Sequence, residues 1–371
     1  MKLQCHRSSL MTAFQIVGGV VPARTPKEIL KNVKLSVDEN TATLIGTDQE
    51  VGIRYEIPGV EIESPGETLL PTNRVISILR ELQENSVLLE VTEKGVRIRS
   101  GQSDFILAVE EAVEFPSVAA FEDQAYYVVS GPSLREAIRR TVFAADEEST
   151  RYALGGVQLE LSNEGMVLAA TDSRRLALVK STCRVEGEIE TAAGPLPVVP
   201  KKAMVLLERS IDDEESDVFL AVHENGVVVK SGRSTISSQL VQGRFPKYQD
   251  VIPKDPTTSV NLVVGMFLSA VRQAQIVTND ESRGVDFTFA DGLLKLESQA
   301  ADIGNSTIEL PIDYNDKELK ITFDPRYIAE FLRVLEPEKS VQLDLIDSES
   351  AAVFRTDDAY TYVIMPLSRD R

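Results

Sequence analysis

The 371-residue chain has no tryptophan, only two cysteines and only two histidines. Cys5 and Cys183 argue against a disulfide scaffold and fit a reducing compartment. With His6 and His223 they form no metal-ligand spacing, so packing or surface roles are expected for all four. No apolar run is long enough to span a membrane and no secretory signal pattern is present, which points to a cytoplasmic protein. A phosphate loop of the G-x-x-x-x-G-K-[ST] type is missing. Gly18-Gly19 and Gly155-Gly156 are isolated pairs, suited to turns or close packing. Neither Thr171-Asp172 nor Ser173-Arg174 has a histidine or cysteine nearby in sequence to activate a nucleophile, so an enzyme is disfavoured and no cofactor is expected. Positive charge is also short. Lys and Arg number 39 against 58 Asp and Glu, a net charge of −19, and that total argues against nucleic acid.

What the chain does have is repetition. GVRIRSGQS at 95–103 returns as GVVVKSGRS at 226–234, 131 residues later, and each copy precedes a Phe-Pro pair, Phe115-Pro116 and Phe245-Pro246. That period is too long for a solenoid unit and suits a duplicated domain. ATLIGTDQEV at 42–51 answers MVLAATDSRRL at 166–176, and LLKLESQAAD at 293–302 is a weaker third copy. LLPTNRVISILREL (69–82), VVPKKAMVLLERS (198–210) and TFDPRYIAEFLRVLE (322–336) each run from a strand through a proline into a helix. Proline suits the first helical turn, where its missing N–H is not needed, and Asp324 is placed to cap the third copy. Three similar domains in a row suggest a symmetric object rather than one catalytic pocket.

Apolar spacing fills in the elements. Leu10, Phe14, Val17 and Val21 mark one helix; Leu134, Ile138 and Val142 a second; Phe267, Val271 and Ala274 a third; Ile328, Phe331, Leu332 and Leu335 a fourth. Short β runs such as VRIRS, VQLELS and YTYVIMPL occupy the rest. Each third therefore reads as two helices against antiparallel strands, in an α+β class, with boundaries at 1–123, 124–253 and 254–371. Positive charge gathers on the helices. The segments 7–20, 72–83, 132–143, 200–210, 265–277 and 325–336 together carry +7, leaving −26 for the remainder. If the helices share one surface, that surface attracts phosphate while the other repels it.

ATDSRRLAL at 170–178, QGRFPKYQDVIP at 242–253, RYALGGV at 151–157, SRGV at 282–285 and YVIMPL at 362–367 together resemble the bacterial DNA polymerase III β-subunit family, the sliding clamps. The resemblance runs from Met1 to about Leu367. It implies three similar clamp domains per chain and a homodimeric ring, with helices lining a hole and sheets outside. It implies a processivity factor with no chemistry of its own, opened by an ATP-dependent loader. Such a ring tethers the replicative polymerase, other polymerases and repair proteins to duplex DNA. Phosphate contacts are sequence-independent, so a clamp held by topology needs only modest positive charge.

The resemblance also implies sites. Inner-surface DNA contacts would come from Arg24, Arg74, Arg80, Arg135, Arg139, Arg140, Arg151, Lys201 and Lys202. A hydrophobic groove for short peptide motifs would be built from Leu154, Thr171, Ser173, Arg174, Arg175, Leu176, Pro246, Val251, Val363, Ile364, Met365, Pro366 and Leu367, with Arg174 and Arg175 gripping polar peptide atoms at the rim. Ser173 stands where the family commonly has Gly, and Arg174 where His is frequent. The ring interface would use Phe105, Ile276 and Val277, with Gln102 and Asp104 in place of basic residues. The rival reading is a peptide-binding scaffold that does not encircle DNA, which the acidic total supports.

Overall fold

The computed structural model describes residues 1–146, 153–189, 196–211, 216–279, 283–356 and 359–367. Among the described residues six α-helices fall two to each third: α1 (Arg7–Gly18), α2 (Thr72–Glu81), α3 (Gly131–Thr141), α4 (Lys201–Ser210), α5 (Val264–Gln275) and α6 (Pro325–Arg333). Their apolar faces are the expected ones. Leu10, Phe14 and Val17 of α1, Phe267, Val271 and Ala274 of α5, and Ile328, Phe331 and Leu332 of α6 are buried. Val21 differs, because α1 ends at Gly18 and the buried residue beyond it is Val20. The prolines also differ among the copies. Pro325 sits in the first turn of α6, where the Asp324 carboxylate accepts from the Arg326 backbone N–H at 3.0 Å. Pro71 and Pro200 stand one position earlier, as the caps themselves.

The residues group into two compact units. The first holds Met1–Arg135, Ser162–Glu164 and Cys183–Val241; the second holds Glu136–Leu161, Gly165–Thr182 and Gln242–Arg371. The second repeat is thus shared between them. In the first unit, one antiparallel sheet runs in the order Val60–Ser64, Lys2–His6, Ser86–Thr92, Gly95–Ser100, Ser103–Leu107. A nine-stranded sheet joins the first and second repeats at one seam, where Val51–Glu56 pairs antiparallel with Ser234–Gln239. Helix α1 presses on that sheet so closely that a Cβ on Gly46 would lie 2.7 Å from Val17 Cγ1, so any side chain at 46 would force the helix or Val17 to shift.

In the second unit, Gly304–Pro311, Leu293–Ala300, Val285–Ala290 and Leu319–Phe323 form a four-stranded sheet in that order. A second seam joins the second and third repeats, with Arg175–Ser181 paired antiparallel to Tyr360–Ile364. Its core is aromatic. Phe331 stacks on Tyr362 at 4.6 Å between centroids and lies 5.1 Å from Phe354. Two of its buried tyrosines satisfy their hydroxyls on backbone: Tyr360 donates to the Arg140 carbonyl at 2.7 Å and Tyr362 to that of Tyr327 at 2.9 Å.

Candidate functional site

The second seam begins at a turn that the sequence Thr171-Asp172-Ser173-Arg174-Arg175 dictates locally. Thr171 Oγ1 donates to the Arg175 carbonyl at 2.6 Å and accepts from the Ser173 N–H at 3.1 Å. Asp172 Oδ1 accepts from the N–H groups of Arg174 and Arg175 at 2.9 and 3.0 Å. These bonds hold Ser173 in the left-handed region, at φ +73°, which is the physical reason Gly would suit the position. The Met365 N–H donates to the Arg174 carbonyl at 2.9 Å, which fixes the end of the last strand beside the turn.

A groove of about 480 Å³ opens there, lined by Thr171, Ser173, Arg174, Arg175, Leu176, Arg244, Phe245, Pro246, Lys247, Tyr248, Val251, Val363 and Met365. Leu176 and Val363 are register partners on the sheet floor, at 3% exposure each. Val251 and Met365, at 56% and 45%, are exposed apolar side chains on its walls. Tyr248 donates to Glu160 Oε1 at 2.6 Å; burial, reinforced by that carboxylate, pushes its phenol well above the ordinary range. It therefore stays a neutral donor that fixes the 245–251 loop. A segment with large apolar side chains gains about 1.5–3 kcal/mol for each one buried in such a slot.

Four predicted groove residues do not line it. Ile364 is fully buried because strand alternation turns it to the face opposite Val363. Leu154 is 2% exposed and lies in the core. Pro366 and Leu367 lead away: the Leu367 N–H bonds to the Thr322 carbonyl at 2.8 Å. Arg175 lines the groove but is not a rim group. It is committed to Asp172 at 2.9 Å, to the Phe143 carbonyl at 2.9 Å and to Glu330, and it stacks over Tyr327 at 4.4 Å. Burial works against its charge, and Tyr362, Glu330 and Asp172 outweigh that and hold its proton more tightly than usual. The exposed cations at the rim are Arg174, Arg244 and Lys247. Arg244, Phe245, Lys247 and Tyr248 were missed by sequence reasoning, although the recurrence of Phe115-Pro116 as Phe245-Pro246 marked that loop.

The predicted DNA contacts divide. Arg24, Arg74, Arg80 and Arg139 are exposed, Arg135 and Lys201 half-buried. Arg139 donates to the Val334 carbonyl at 3.0 Å. Lys202 is exposed but ion-paired with Asp48. Arg140 is a correction: it is 5% exposed, pairs with Glu136 at 2.7 Å and sits 5.3 Å from the Tyr360 ring centroid. A guanidinium held that way cannot reach a phosphate. Arg151 lies outside the described residues, as do Ser282 and the tail 368–371. Of the predicted interface residues, Phe105 is 37% exposed on the edge strand Ser103–Leu107, and Ile276 is 75% exposed just beyond α5 with Val277 half-buried beside it. Asp104 pairs within the chain, to Arg97 at 2.5 Å. No group of three potential metal ligands occurs among the described residues.

Three family models match the chain: the N-terminal domain of the DNA polymerase III beta subunit over residues 1–119, its central domain over 128–247 and its C-terminal domain over 249–368. The beta sliding clamp of Pseudomonas putida is 31% identical over 373 residues, covering 99% of this chain and 100% of that one. The chain belongs to the DNA polymerase III β-subunit family. Among solved structures, the β subunit of Pseudomonas aeruginosa superposes with a TM-score of 0.89 at 28% identity, over 99% of this chain and 100% of that one. The sliding clamp of Bacillus subtilis gives 0.91 at 26%, over 99% of each. The chain is accordingly a DNA sliding clamp of three clamp domains and a non-catalytic processivity factor. The Thr171 hydroxyl and the Asp172 carboxylate are both committed to the turn.

Proposed function

We propose that two copies of the chain close into a ring around duplex DNA, and that the groove beside the second seam captures short linear segments of its clients. Those clients are the catalytic subunit of the replicative polymerase, other polymerases and repair proteins, with an ATP-dependent loader opening the ring. The observation that carries the groove reading is the pairing of exposed Val251 and Met365 with a floor of Leu176 and Val363. The clamp domains are read as 1–123, 124–253 and 254–371, and the place of action as the cytoplasm. Arg24, Arg74, Arg80, Arg135, Arg139, Lys201 and Lys202 are the cations assigned to the DNA side; Arg140, being buried, is not among them. The edge strands Ser103–Leu107 and Gly304–Pro311 end their respective sheets, and an unpaired edge is a ready template for another chain. With Phe105, Ile276 and Val277 exposed or half-buried near them, these edges are assigned to the ring interface.

The acidic total, −19, favours a second reading, a peptide-binding scaffold that never encircles DNA. Retention on DNA separates the two. Clamp assembled by its loader on nicked circular duplex is expected to co-elute with the circle through a sizing column and to fall off once the circle is cut at one site. Retention that is independent of cutting, or no retention of a dimeric protein with a competent loader, would sink the ring reading.

A further inference from the structure

A second concavity of about 500 Å³ lies in the same unit as the groove, and Tyr248 lines both. Alternation along the strand Arg175–Ser181 puts Leu176, Leu178 and Lys180 on one face. Leu176 is floor of the groove, while Leu178 and Lys180 line the second basin. Register extends the floor sideways: Leu178 pairs with Thr361, and Thr361 with Arg355, another lining residue. Lys254, from the loop that carries Pro246 and Tyr248, completes the basin. One sheet face therefore passes from apolar to cationic over the four residues from Leu176 to Lys180, roughly 13 Å at strand spacing.

The charges there are unevenly satisfied. Arg355 donates to Asp344 at 3.0 Å, and Glu160 is engaged by the Tyr248 hydroxyl and by Gln249. Lys180 and Lys254 are exposed, and among the described residues neither has a carboxylate at ion-pair distance. We propose that the basin is a second subsite of the groove, binding a carboxylate that the partner peptide carries about four residues from its apolar anchor. The carboxylate belongs to an Asp or Glu side chain or to the peptide's own C-terminus; flexible lysine ammonium groups accept either. The inference rests on the groove being a peptide site.

Fluorescence anisotropy with the full-length protein tests it. The probes are labelled twelve-residue peptides sharing one Leu/Phe-containing core, extended at either end by three Asp or three Asn, each as C-terminal amide or free acid. At low salt one acidic arrangement is expected to bind about fivefold tighter than its neutral match. The Lys180→Gln, Lys254→Gln double variant should lose that gain while keeping its affinity for the neutral amide. A gain confined to the free acid assigns the subsite to a chain terminus; a gain in the amidated Asp peptides assigns it to side chains. Equal binding of acidic and neutral peptides at both ends, or a gain that survives the double variant, overturns the proposal. Met365→Ala reports on the groove separately: it should weaken acidic and neutral peptides alike. A neutral amide indifferent to it would overturn the groove reading, whatever the lysine variants show.

Discussion

The Thr47–Val51 turn of the first unit and the Thr171–Arg175 turn of the second share one set of bonds. Thr47 Oγ1 donates to the Val51 carbonyl and accepts from Gln49 N–H; Asp48 Oδ1 accepts from the N–H groups of Glu50 and Val51; Gln49 takes the left-handed φ, +82°. Each turn opens a strand that forms the seam to the next repeat, and each has a Phe-Pro loop beside it. The clefts that result are not alike. The first-unit cleft has about 650 Å³ against 480 Å³, so space does not separate them. The lining does. Where the second unit offers Leu176, Val363 and Met365, the first sets Ser237, Ser238 and Gln239 beside Val118, Val227 and Val228. Covering the polar part of a mixed cleft replaces hydrogen bonds to water with others of similar strength, so it gains less than a slot with exposed apolar walls, which gains with every Å² covered. A duplicated scaffold has thus kept its backbone and changed its chemistry.

The anchoring cations differ in the same direction, and replacing them should show the largest effect. Asp172 is held by Arg175, 9% exposed and further bonded to Glu330 and Phe143; Asp48 is held by Lys202, whose side chain is 45% exposed. Arg175→Met leaves the half-buried Asp172 carboxylate and Phe143 carbonyl without their donor and should cost about 3 kcal/mol in urea unfolding. Lys202→Met should cost at most about 1 kcal/mol. Equal losses would mean that the two turns are braced alike.

The next effect concerns binding. Val251→Ala with Met365→Ala should weaken a polymerase-derived peptide by roughly 10- to 100-fold. Val118→Ala with Ser238→Ala in the first-unit cleft should leave it within twofold. A comparable loss from the first-unit pair would show that both clefts bind peptide.

The smallest effect separates the units by acid. Asp344, in the second unit, is 6% exposed; burial would raise its pKa, but Ser259, Gln342 and Arg355 donate to it and hold it below the ordinary value. Its contribution is complete above the unfolded pKa, near 4, and is lost as pH falls through the lower folded value. The lowered carboxylates of the first unit, Asp38, Glu67 and Asp104, stand largely in solvent. Acidification from about pH 5 to 2 should therefore erase on the order of 1 kcal/mol in wild type that Asp344→Asn never had. Parallel pH profiles for the two proteins would remove Asp344 from the account.

Much of this was legible in the residues. The Thr-Asp pairs 124 residues apart announced both turns, because a hydroxyl and a carboxylate in that order satisfy their own backbone wherever they occur. Helical spacing located four of the six described helices and the strand–proline–helix repeat the other two, and the motif segments ATDSRRL, GRFPKYQDV and YVIMPL do meet at one groove. Individual side chains were less legible. Val363 and Ile364 are equally apolar neighbours, and which of them faces the groove depends on the register with Leu176 and Arg175. Arg139 and Arg140 are the same residue type one position apart on α3, yet one is exposed and the other lies beneath Tyr360, 220 residues away in sequence.

By itself, then, the sequence determined what is local and periodic: the repeats, the helix faces, the turn chemistry and the concentration of positive charge on helices. Only the tertiary structure decided which cations are used up inside the protein, which face of the last strand is floor and which is core, and that Lys180, Lys254 and Arg355 share one basin. Those outcomes depend on pairings between strands and helices far apart in the chain, and side-chain direction reverses with each one-residue change of register.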